Sequence, residues 1–320
     1  MTHSHVRLFL PDSDNPYQER QAAHAHAAAR RLGIDLDVEF AAGDFSLQVR
    51  QIFKATRQDG DALSAVVVMP VQESALKSLS EATVSMGIGW VYLNRGANNI
   101  DALRRANPKV PSFLVTPDQH EIGRVHARQL RRLFPQGAQI LYIQGRVTTC
   151  SSEARAVGLR AGLAEPGPRI EIVSTVDGNW SAKDAEASTA RWLQLMLPAR
   201  LRIDAVVCQS DFMAMGALEA LRTTSDKLGM PLLRELPVLG CDGVADVGQR
   251  LVEEGHLTAT VVVPTTADKA LESLVAFARD GAAVPEEIRL AARGYPEDRV
   301  LARHARESAS GPVFSGSGRA

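Results

Sequence analysis

Short runs of apolar residues alternate along this chain with longer stretches in which apolar positions recur every three or four residues. Val6 to Leu10, Leu63 to Met69, Ile88 to Leu93, Ser112 to Thr116, Gln139 to Ile143, Ile170 to Val176, Ile203 to Cys208, Pro237 to Cys241 and Thr258 to Val263 are of the first kind. They predict strands of a parallel sheet, most of them covered on both faces. Ile34 to Phe40 alternates apolar with acidic residues, which predicts a strand near a sheet edge with one wetter face. Helices are predicted for the alanine-rich stretch that ends at Gly33, for Leu47 to Ala55, Glu73 to Met86, the segment opened by Pro117-Asp118, Ser151 to Leu163 and Ser181 to Leu197. Two more follow Ser210-Asp211, one of which is the N-cap, and Pro264. This β-α period with short connections predicts an α/β fold of parallel, doubly wound sheets. It restarts after Pro135-Gln136-Gly137, so two α/β units of similar size lie in series.

In open α/β sheets ligands bind outside the carboxyl ends of the strands. That places Ser210, Asp211, Cys241 and Asp242 on one rim. Asn15, Tyr17, Gln72, Asn94, Arg95, Thr116, Arg146, Ser151, Arg155 and Trp180 also stand at strand ends. Polar side chains on two walls, with an aromatic ring to stack on, are what lifts a neutral polyol out of water.

Composition removes other classes. The 320 residues suit two ordinary domains, and 36 Lys plus Arg against 37 Asp plus Glu leave a net charge of -1, with no pull toward nucleic acid or an anionic membrane surface. Cys150, Cys208 and Cys241 stand at no metal-ligand spacing and read as buried small hydrophobes without a disulfide framework. The start MTHSHVRLFL lacks the regions of a secretory signal, so the chain is expected in the cytoplasm if Met1 is the native start. No apolar run is long enough for a membrane helix. The serine- and glycine-rich residues 306–320 read as a disordered tail.

No glycine-rich phosphate loop follows a strand, which argues against nucleotide cofactors, and none is expected. The scattered histidines support no metal site. Asp12-Ser13-Asp14 after the first strand is similar to the nucleophile loop of haloacid-dehalogenase-type phosphatases and to a glycosyltransferase metal motif. A polar loop capping a helix is the simpler reading, and hydrolysis with these residues is a minor alternative. Asn179-Trp180-Ser181 matches a glycosylation triplet, but Ser181 with Asp184 reads better as a capping pair. Arg124, Arg128, Arg131 and Arg132 read as a solvated helix face.

The order NPY, LNRG, SSEARAVGLRAGL, QSDFMAMGALEAL and VLGCDG followed by GHLTATVVVP resembles the type I periplasmic binding proteins. The likeness is to ribose-type solute-binding proteins of ABC importers, which share their fold with effector domains of lac-repressor-like regulators. It covers about residues 6 to 292. It implies two Rossmann-like lobes joined by a three-stranded hinge, a ligand held between them, no enzymatic activity and a periplasmic or cell-envelope location. Residues 1–116 with 264–285 would form the N-terminal lobe, and 117–263 with 286–300 the C-terminal lobe. By this resemblance Asn15 and Tyr17 touch sugar hydroxyls and ring, Thr116 is a hinge contact, Arg155 donates to ring and anomeric oxygens, Trp180 stacks and Asp242 accepts from two hydroxyls. Where ribose-type members carry an Asn, an Asp, an Asn, a Phe and a hinge Gln, this chain has Met69, Asn94, Ser210, Cys241 and Val263. Arg146, joining Arg95 and Arg155, would suit a sugar acid. The implied partners are a sugar or sugar acid and an ABC permease, with neither nucleic acid nor membrane insertion. A cytoplasmic or fused sensor domain is the alternative role.

Overall fold

The computed structural model describes residues 4–58, 63–96, 98–196 and 203–301. The expected tail at 306–320 lies outside the described residues. In chain order the first elements are β1 (His5–Leu10), α1 (Pro16–Leu32), β2 (Asp35–Phe40), α2 (Phe45–Gln58), β3 (Leu63–Val68), α3 (Lys77–Ser85), β4 (Gly89–Leu93), α4 (Ile100–Ala106) and β5 (Ser112–Pro117). Then come α5 (Gln119–Leu133), β6 (Ala138–Gln144), α6 (Cys150–Ala164), β7 (Ile170–Asp177), α7 (Ala182–Met196), β8 (Ala205–Cys208), α8 (Asp211–Leu228) and β9 (Val238–Leu239). The last are α9 (Arg250–Glu253), β10 (Thr260–Val262), α10 (Ala267–Asp280), β11 (Glu287–Leu290) and β12 (Arg293–Tyr295). No helix among the described residues is long and apolar enough to cross a membrane.

The chain divides into two compact units, Met1–Glu121 with Gly145–Arg155 and Val263–Ala292, and Ile122–Gln144 with Ala156–Val262 and Arg293–Ala320. The first holds a six-stranded sheet in the order β11-β5-β4-β3-β1-β2, with every pair parallel. The second holds the parallel sheet β7-β6-β8-β9 and an antiparallel pair, β10 with β12. Segments 286–300 and 145–155 were both expected in the C-terminal lobe. Of the first, Arg293 onward groups with the second unit, whereas β11 pairs in register with β5 in the first; Gly145–Arg155 also groups with the first unit.

Local chemistry explains the elements. Asn15 caps α1 and Pro16 opens it, where a missing N–H costs nothing. Gly33 closes it in the left-handed conformation at φ 72°, donating its N–H to Ala29 O. Ser210 is the cap of α8, accepting from Met213 N–H at 3.1 Å. Ser181 accepts from Asp184 N–H at 3.3 Å, the capping pair read from the sequence. The strands β3, β4 and β8 are buried nearly throughout, as their apolar runs require. Phe9, Val66, Val68, Trp90 and Tyr92 build the core of the first unit, the last two rings edge to face at 5.5 Å.

Three local expectations are corrected. Pro237 to Cys241 yields only the short β9, continued as isolated parallel bridges in which Gly240 and Asp242 donate to Ala259 O and Val261 O. Cys150 is exposed, not buried, since it opens α6 at the surface. Arg131 is not a solvated face residue: it donates to the carbonyls of Leu163, Glu165 and Pro166 and so closes the end of α6.

Candidate functional site

In the first unit, the end of β1 is a self-contained loop. Asp14 N–H donates to Asp12 Oδ1 at 3.0 Å, and Asp12 N–H to Gln18 Oε1 at 2.6 Å. Among the described residues no cluster of three His, Cys, Asp or Glu is placed to hold a metal. Asn15 spends its oxygen on the N–H groups of Tyr17 and Gln18.

Behind this loop lies a buried polar network. Tyr17 donates its hydroxyl to Pro264 O at 2.9 Å and accepts from Gln21 Nε2 at 3.0 Å and Asn94 Nδ2 at 3.1 Å. Its oxygen is therefore engaged within the unit. Gln21 is 0% exposed; its Oε1 accepts the N–H groups of Thr266 and Ala267 at 2.9 and 3.0 Å. Asn94, at the end of β4 with φ 63°, accepts the Thr266 hydroxyl on Oδ1 at 2.7 Å. Its backbone carbonyl accepts from Thr116 Oγ1 at 2.8 Å and Gln119 Nε2 at 3.2 Å, and Gln119 Oε1 accepts from Arg155 Nε at 2.8 Å. One chain of hydrogen bonds thus joins Tyr17, Asn94, Thr116 and Arg155.

Arg95 points another way. It donates to Pro70 O at 2.8 Å and Ser151 Oγ at 3.4 Å, with Glu73 at 4.0 Å. Burial holds its pKa below the usual value; Glu73 opposes that, while the neighbouring Arg155 and Arg146 guanidiniums add to it. Glu73 also accepts the Cys150 N–H at 3.2 Å. Cys150 as a residue is exposed, but its thiol is partly withdrawn from water and has Glu73 beside it, and together these push it up to about 11. Arg146 is half-buried, and its carbonyl accepts from Thr149 N–H and Oγ1 in the turn that starts α6.

In the second unit, Trp180 follows β7 in a left-handed turn, with Asn179 at φ 53° and Trp180 at φ 65°. Its partly buried ring packs on the cluster of Leu141, Met213 and Leu193. Asp242 follows β9 at φ 111°, outside the region that L-residues adopt readily. Ser210 is buried and committed to its cap. Asp211, 3% exposed, is the organiser of this end. Its carboxylate accepts Gly243 N–H on Oδ2 and Thr260 Oγ1 on Oδ1, each at 2.7 Å. Gly240 and Gly248 make room for it: a Cβ on either would stand 2.1 or 1.9 Å from its oxygens.

Met69, Cys241 and Val263, read in the sequence as altered ligand positions, are all buried in the core. Gln21 and Gln119 were missed. Their signal was faint: Gln21 lies one helical turn after Tyr17, a polar residue on the packed stripe of an alanine-rich helix.

The chain belongs to the periplasmic binding protein domain family, whose model matches residues 6–281. Among curated proteins it is 29% identical over 191 residues to a putative rhizopine-binding protein of Rhizobium meliloti, a match covering 59% of this chain and 58% of that one. It is 27% identical over 264 residues to the D-allose-binding periplasmic protein of Escherichia coli K12, covering 79% and 77%. The solved structure of the Caulobacter myo-inositol binding protein bound to myo-inositol superposes with a TM-score of 0.78 at 25% identity, covering 96% of this chain and 97% of that one.

Proposed function

We propose that this chain is a solute-binding protein that captures a small, polyhydroxylated, sugar-like molecule for an ABC importer, works in the periplasm, and does no chemistry on its ligand. The candidate contact groups stand at strand ends: Asn94, Arg95, Thr116, Arg146 and Arg155 within the first unit, and Trp180 and Asp242 within the second. Asn15, Tyr17 and Ser210 would act mainly by shaping these ends, given their internal bonds.

The observation that carries this reading is the backbone at Asn94, Trp180 and Asp242. Each is a non-glycine residue with positive φ within three residues of a strand's carboxyl end. Such conformations cost on the order of 1–3 kcal/mol each and persist where a clamp needs them. Family membership supports the same reading, as do relatives named for binding D-allose and xylitol. Relatives named as import binding proteins, for D-apiose and for ribose, favour import over the sensor role. The test is a thermal-shift screen of the purified chain against pentoses, hexoses, inositols and sugar acids. A ligand at about 100 times its Kd adds ~2.7 kcal/mol to the folded state; silence across the whole panel would sink the reading.

A sugar acid is the second reading, favoured by the Arg146 and Arg155 guanidiniums close enough to Arg95 to depress its pKa. Glu73 offsets part of that charge. Calorimetry with uronates and aldonates beside the neutral sugars separates the two.

A further inference from the structure

The hydrogen positions of the network around Gln21 are fixed from both ends. Gln21 Oε1 faces the backbone N–H groups of Thr266 and Ala267, which can only donate. The other arm of its amide is therefore the nitrogen, a donor toward Tyr17 Oη, Thr266 Oγ1 and Asn94 at 3.0, 3.1 and 3.4 Å. The Asn94 atom that meets both this nitrogen and the Thr266 hydroxyl must then be its oxygen. Asn94 Nδ2 in turn donates to Tyr17 Oη, and that hydroxyl has an outlet for its own proton in Pro264 O, which can only accept.

The Thr266 hydroxyl takes one lone-pair site of Asn94 Oδ1 at 2.7 Å, Gln21 Nε2, whose two hydrogens are shared among three acceptors, covers the other at 3.4 Å, and one Nδ2 hydrogen goes to Tyr17. What Asn94 has left, among the described residues, is its second N–H. We infer that Gln21, buried and out of reach of any solute, is a specificity-determining residue: it orients Asn94 so that this strand end offers a donor and never an acceptor. The solute must present an acceptor there, such as a ring oxygen, a hydroxyl used through its lone pair or a carboxylate oxygen. A cationic group is rejected. This rests on the solute-binding reading, because the polarity of Asn94 selects only if a ligand meets it.

Nuclear magnetic resonance on the 15N-labelled full chain tests the orientation without a ligand. The two side-chain amide pairs are assigned by their disappearance in Gln21→Glu and Asn94→Asp. The Asn94 pair should show Overhauser contacts to the Tyr17 ring, and the Gln21 pair to the Thr266 methyl. Contacts from the Asn94 pair to the Thr266 methyl would mean the opposite flip and overturn the inference whether or not any solute binds. Calorimetry with myo-inositol, xylitol and D-allose follows. For a probe that binds, saturation should move the Asn94 pair, and Gln21→Glu, which swaps the donor arm for an acceptor in the same shape, should weaken binding at least about tenfold. If Gln21→Glu does not fold, Thr266→Val, which frees one Oδ1 site and keeps the shape, should weaken it several-fold. An unmoved Asn94 pair with unchanged affinity in the variant overturns the role. If none of the three probes binds, the solute-binding reading fails for them, and the Overhauser pattern still decides the orientation.

Discussion

Asp211 Oδ2 accepts the backbone N–H of Gly243 at 2.7 Å, so the first residue of α8 holds the turn that follows β9. Asp242, at φ 111°, sits inside that turn with its own N–H on Val261 O. A buried carboxylate thus fixes the backbone on the far side of a second, more exposed one. Asp211→Ala would leave the Gly243 N–H and the Thr260 hydroxyl buried without this partner, at about 1–3 kcal/mol each. The second unit should lose about 2–6 kcal/mol, read as a lower urea midpoint with an unchanged slope.

Glycines separate into two kinds here. Gly240→Ala and Gly248→Ala each drive a Cβ into the Asp211 carboxylate. Gly255→Ala meets nothing within 4 Å and carries only the strain of φ 78°. The last should cost about 1 kcal/mol, and the first two several times more, in the same denaturation series.

Asp242→Gly relaxes a strained φ and removes a carboxylate proposed to accept from the solute. The apo protein should melt no lower than wild type, and the ligand-induced rise in Tm should vanish. Asp242→Ala keeps the strain and should lose the ligand response as well. A full response in both variants would remove Asp242 from the binding groups.

Alkaline conditions should weaken the fold before acid chemistry explains anything. Burial raises the Cys150 thiol from 9.0 to about 11 and the Tyr92 phenol from 10.0 to about 12. Both groups hold their protons more tightly folded than unfolded. Their stabilising effect is therefore fully present below pH 9 and is lost as pH rises through about 12. Urea midpoints measured from pH 7 upward should be flat to about 9 and fall above it. Native Cys150 should also alkylate slowly at pH 8 for an exposed cysteine, and faster in Glu73→Gln, because Glu73 is the second cause of the raised pKa.

Strands announced themselves in the sequence wherever both faces are covered, because a run such as Leu63–Val68 has no polar position to spare. The edge strand β11, with Glu287 and Arg289 on its open face, has the alternation but only four residues, too few to stand out from a loop. The rim residues were legible as polar side chains at strand ends. Their roles were not. Tyr17 and Ser210 look the same in sequence whether they face solute or backbone, and of the partners that decide for Tyr17, Asn94 lies 77 residues away and Pro264 lies 247. Nor does sequence show that Trp180 adopts a left-handed conformation, since an aromatic side chain gains nothing from it locally.

The first unit is discontinuous. α1 packs on α10 through Gln21, His24 and Arg31, and β5 is completed by β11. A ribosome must therefore release residues beyond Leu290 before this unit can close its sheet. Until then the nascent chain carries β1 to β5 with one edge and one helix face uncovered. Contacts of such long sequence separation slow folding and prolong exposure of unpaired strand edges. The chain consequently has an extended interval, set by its topology, in which it is open to chaperones and not yet locked in its native form.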